Sequence, residues 1–69
     1  MKYLVDVFWS DEDEGYIAAV PDLPGCSAFG ATPEAAVHEI GDAIEAWLAA
    51  CRANGDPIPE ATTKARHAA

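Results

Sequence analysis

Residues 21–34 read Pro21-Asp22-Leu23-Pro24-Gly25-Cys26-Ser27-Ala28-Phe29-Gly30-Ala31-Thr32-Pro33-Glu34. Within this stretch the chain passes from one regular structure to the other. Pro21 and Pro24 lack a backbone donor, so neither fits a central strand. Pro24-Gly25 is a strong turn pair. Cys26 to Ala31 then reads as a third, weaker strand containing Gly30. Thr32-Pro33-Glu34 is a helix start. The Thr32 hydroxyl can cap free N–H groups, Pro33 fits the first helical position, and Glu34 complements the positive end of the helix dipole.

Upstream the pattern has a period of two. Tyr3, Val5, Val7 and Trp9 share one face of a strand over residues 2–9, and Lys2, Leu4, Asp6 and Phe8 share the other. Ser10-Asp11-Glu12-Asp13-Glu14-Gly15 is a polar connector ending in glycine, suited to a hairpin loop. Tyr16 to Val20 is the return strand. Downstream the period is that of a helix. Ala36, Ile40, Ala43, Ile44, Trp47 and Cys51 recur at spacings of three and four, flanked by Val37 and Leu48. Glu34, His38, Asp42, Glu45, Ala49 and Arg52 form the opposite face. Asn54-Gly55 stops the helix, and Pro57 and Pro59 prevent its resumption. Gly41 in the helix interior costs up to about 1 kcal/mol against alanine, and a close backbone approach there would account for it. The order is α+β: three strands, then one long amphipathic helix. Ile58 to Ala69 is weakly patterned and either adds a short strand or stays a mobile tail.

A chain of 69 residues makes one small domain. Such a domain buries a small fraction of its surface and gains from oligomerisation. Apolar residues make up 51% of it, enough for a core. No apolar run is long enough to span a membrane, and no secretory signal pattern opens the chain. A cytoplasmic protein is expected. There, Cys26 and Cys51 are expected to be buried thiols, although a disulfide between them is not excluded by sequence.

The formal net charge is −8, and residues 1–51 hold ten of the twelve acids with Lys2 as their only base. Such a body repels a phosphate backbone, so direct nucleic-acid binding is not expected. It attracts a basic partner and speeds encounter with it. Solubility alone is the simpler account of the acidity.

No constellation points to chemistry. Asp11 to Glu14 are consecutive, and crowded exposed acids lack the protected setting that raises a catalytic carboxyl's pKa. Read as a calcium loop, they lack the twelve-residue spacing and terminal glutamate. His38 with Asp42 four residues on reads as an exposed helix pair. Ser10, Ser27, Cys26 and Cys51 have no sequence-evident base. Trp9 and Trp47 read as core side chains. No catalytic residue, metal or cofactor is expected.

The motifs nevertheless occur in a recognisable order. An aromatic-rich first strand leads to an acidic loop and Gly15-Tyr16. Pro21-Asp22-Leu23-Pro24-Gly25-Cys26, Gly30, Thr32-Pro33 and Glu34-Ala35-Ala36 follow, then a helix with Ala43, Trp47 and Leu48, then Gly55 and Pro57-Ile58-Pro59. Over about residues 3–60 the chain resembles the HicB antitoxin family. The resemblance implies a three-stranded antiparallel sheet crossed by one long helix, often with a further strand. The implied order is β-β-β-α(-β), similar to a truncated ribonuclease H core without its catalytic carboxylates. A single domain over 1–60 and a tail over 61–69 are expected.

The resemblance also implies a role. The family neutralises HicA, a small messenger-RNA ribonuclease, by covering it and its catalytic histidine. Many members carry a C-terminal DNA-binding domain, and this sequence shows none. Members commonly form homo-oligomers, so a dimer or tetramer is expected. Charge clustering nominates the loop acids Asp11, Glu12, Asp13 and Glu14 and the helix acids Asp42 and Glu45 as the groups that steer the toxin. Two other readings stay open. One is a stand-alone oligomeric module without a toxin. The other is a residual metal-dependent nuclease using Asp6.

Overall fold

The computed structural model describes residues 2–63. Three strands precede one helix: β1 (Asp6–Ser10), β2 (Gly15–Ala19), β3 (Ser27–Gly30) and α1 (Pro33–Ala53). The strands form one antiparallel sheet in the order β1-β2-β3. Phe8 lies opposite Ile17, which lies opposite Phe29.

β1 begins four residues later than the alternating pattern does. The reason lies in the partner strand. Continuing the ladder upstream of Asp6 would require Val20 and the residues after it to pair. Instead the Val20 N–H donates to the Cys26 carbonyl at 3.1 Å, closing a loop. Inside that loop are two successive turns. The Leu23 N–H donates to Val20 O at 3.1 Å and the Cys26 N–H to Leu23 O at 2.9 Å, with Pro21 and Pro24 each second in its turn. Gly25 has φ +79°, the value a type II turn needs at its third residue. The loop drops the Leu23 side chain into full burial.

α1 starts and stops where local chemistry predicts. Thr32 is extended (φ −131°, ψ 160°), and its hydroxyl accepts the Ala35 N–H at 3.1 Å. At the other end, Gly55 has φ +73°. Its N–H reaches Arg52 O at 3.1 Å and the Asp56 N–H reaches Cys51 O at 3.0 Å, the paired bonds of a Schellman stop.

The core lies between the helix and one face of the sheet. Ala18, Val20, Leu23, Cys26, Ala36, Ile40 and Ile44 are buried together, with Tyr3, Val5, Tyr16, Ala28, Ala43, Trp47 and Leu48 packed around them. Full burial of a side chain such as Leu23 or Ile40 stabilises the fold by about 1.5–3 kcal/mol. Gly30 lets the helix approach the sheet. A Cβ there would overlap the backbone of Ala35 and Ala36. Gly41 has no such neighbour: a Cβ there meets nothing within 4 Å. The close approach suggested for Gly41 is therefore found at Gly30.

Both cysteines are buried free thiols. Burial pushes the Cys26 thiol pKa above its usual range. Cys51 Sγ lies 3.3 Å from the Pro57 carbonyl oxygen. Residues 56–63 form no strand, but they are tied down. The Tyr3 hydroxyl donates to the Pro59 carbonyl. Asp22 then accepts four bonds: the N–H groups of Thr62 and Thr63 at 2.9 and 3.0 Å, and their hydroxyls at 3.2 and 2.7 Å. These bonds hold the Asp22 carboxyl below its ordinary pKa, those from Thr63 most strongly. The rest of the expected tail, residues 64–69, lies outside the described residues.

Candidate partner-binding surface

The nominated acids occupy two separate places. Asp11, Glu12, Asp13 and Glu14 form the exposed connection between β1 and β2. Glu14 closes it in the left-handed region, at φ 52°. Two tethers divide the loop between the faces of the sheet. The Ser10 hydroxyl donates to Asp13 Oδ2 at 3.0 Å, and Ser10 shares its face with Phe8. The Trp9 indole N–H donates to Asp11 Oδ1 at 2.8 Å, on the other face.

Asp42 and Glu45 lie elsewhere. With Lys2, Tyr3, His38, Gly41, Ile44 and Leu48 they line a groove of about 510 Å³ between the N-terminal segment and the helix. The missing side chain at Gly41 deepens it. His38 and Asp42 thus share a groove wall with other polar groups, as well as a helix face.

Sequence reasoning overlooked the apolar surface around β1. Trp9 is half exposed, not a core residue. Its ring meets Tyr16 edge-on, with centroids 5.3 Å apart. The helix lies mainly over β2 and β3, so β1 is poorly covered. Phe8 and Phe29 are 50% and 47% exposed on the face away from the helix. The Phe29 ring lies over Gly15, where a Cβ would collide with it. Alternation did show Phe8 opposite in face to Trp9. It could not show that only one face receives a helix.

Among the described residues no polar or charged side chain is buried, and no three His, Cys, Asp or Glu side chains gather as a metal site. Asp6 opens β1, exposed. Among the same residues no helix is long and apolar enough to cross a membrane.

The geometry defines a small α+β domain with an acidic hairpin and a half-uncovered sheet. Comparison with known proteins then gives its family. The model for the HicB-like antitoxin of bacterial toxin-antitoxin systems matches residues 3–69, and the chain belongs to that family. A UPF0150 protein of Thermoplasma acidophilum is 39% identical over 59 residues, covering 86% of this chain and 84% of its own. A UPF0150 protein of Synechocystis is 40% identical over 48 residues, covering 70% of this chain and 61% of its own. No solved structure matches the chain significantly.

Proposed function

We propose that this chain neutralises a small basic ribonuclease of the HicA type by binding directly over it, and that it is not itself an enzyme. The antitoxin family match over residues 3–69 carries the reading. The charge agrees with it. All twelve acids fall within the described residues, whose only bases are Lys2 and Arg52. A surface of that sign favours a cationic partner and disfavours a nucleic acid. The cytoplasm, where messenger RNA is translated, is the compartment this role requires.

Self-association is the second reading. It is favoured by a three-stranded sheet with a helix on one side only, in a domain small enough to gain from another layer. A dimer or tetramer is compatible with toxin binding or stands in its place.

The test is co-purification. Tagged chain is recovered from its own cells, and any small basic protein that accompanies it is assayed for cleavage of messenger RNA. Ribonuclease activity suppressed by stoichiometric addition of this chain supports the antitoxin reading. Recovery of the chain with only its own copies replaces it with the self-associating module.

A further inference from the structure

We propose that the partner docks on β1 and the open face of the sheet, and that the partner is a basic protein with an apolar centre to its binding surface. This rests on the antitoxin reading and adds the place of contact. Phe8, Ile17 and Phe29 stand side by side across the three strands on the face without a helix. β1 is an outer strand of the sheet, and both its faces are apolar and open. Val7 and Trp9 are 38% and 51% exposed on the helix side, and Phe8 is 50% exposed on the other. Three consecutive exposed apolar residues on an outer strand form a ready template for association. Natural edges are usually guarded by lysine, proline or a bulge, and β1 carries no lysine or proline.

Charge identifies the occupant. The apolar row is bordered by Asp6 at one end of β1 and at the other by Asp13, which Ser10 holds on the same side. No base lies on any of the three strands. A partner covering the row therefore meets carboxylates at both ends of β1, which suits lysine and arginine around an apolar patch.

A second copy fits less well. Three strands about 4.8 Å apart and four or five residues long present a face of at most about 14 by 17 Å, roughly 240 Å². A stable complex hides about 800 Å² on each side. A copy would have to extend contact onto neighbouring surfaces, bringing one acidic body against another. A basic partner gains attraction from the same extension.

The probe is the small basic ribonuclease that co-purifies with the chain. Its affinity is compared between the unaltered chain, Phe8→Ser, Phe29→Ser and, at an exposed position of the helix, Glu39→Gln. Thermal melts establish that each variant is folded. Because both phenylalanines are half exposed, Ser at one of them leaves the buried core intact. The expected result is at least tenfold weaker binding for either phenylalanine variant and less than threefold change for Glu39→Gln. Unchanged binding by folded Phe8→Ser and Phe29→Ser overturns the docking site and leaves the antitoxin reading standing. If no ribonuclease co-purifies, the antitoxin reading fails and the inference falls with it. A stable homodimer of the free chain that Phe8→Ser dissociates assigns the surface to a second copy and also overturns the proposal.

Discussion

At Gly30 an added methyl group would enter the backbone of Ala35 and Ala36, whereas at Gly41 it would enter open space. The same substitution should therefore have opposite signs. Gly30→Ala is expected to destabilise the domain by about 2–3 kcal/mol through overpacking. Gly41→Ala should stabilise it by about 0.5–1 kcal/mol, the usual helix-interior difference. Urea midpoints compare the two directly, and equal effects would contradict the contact between β3 and the first turn of α1. Asp22 offers a second test. Its pKa is depressed by the Thr62 and Thr63 bonds, so the stabilisation is complete above the usual carboxyl value of about 3.9. It is lost as pH falls through the lower folded value. Amide signals of Thr62 and Thr63 should hold steady down to about pH 4 and move only below it. Movement near pH 6 would mean another group controls the segment. The sequence showed Asp22 only as part of a turn, because its partners lie 40 and 41 residues further on.

The elements were most legible where their chemistry is local. Thr32-Pro33 and Asn54-Gly55 act through bonds within a few residues, and both ends of α1 fall where those residues indicate. Thr32→Ala should cost about 1 kcal/mol by removing the bond to the Ala35 N–H. Gly55→Ala should cost about 1–2 kcal/mol by forcing a side chain into the left-handed region. Thermal denaturation measures both, and a cost near zero for either would mean that the corresponding helix end frays in solution. Strand limits were less legible. Alternation continues through Tyr3 and Val5, but pairing depends on where β2 turns away, and the two turns after Val20 decide that. Trp9 misled for a related reason. Its type favours burial, but its position depends on which strands the helix covers, and α1 lies mainly over β2 and β3.

At the scale of the whole molecule, charge and its distribution along the chain were readable from sequence, and its placement in space was not. Sequence named the loop acids and the helix acids together as steering groups without giving their positions relative to each other. The fold puts the former at the hairpin and Asp42 and Glu45 in a groove with Tyr3. If the hairpin steers a basic partner, reversing Asp11, Glu12, Asp13 and Glu14 to lysine should slow association by about tenfold or more at low ionic strength. The difference should shrink as salt screens it. Stopped-flow association rates across a salt series decide this, and rates that match those of the unaltered chain remove the hairpin from the account.

The clasp between Asp22 and the Thr62–Thr63 pair also has a kinetic consequence. β1 and β2 join through a short hairpin, β3 follows after one loop, and α1 follows β3 directly. These contacts close short spans of chain and can form early, whereas the clasp closes a span of 40 residues and carries a larger entropic cost. It should therefore form after the transition state. Asp22→Ala would then leave the refolding rate nearly unchanged and shorten the lifetime of the native state, so that the clasp acts as a brake on unfolding and takes little part in folding.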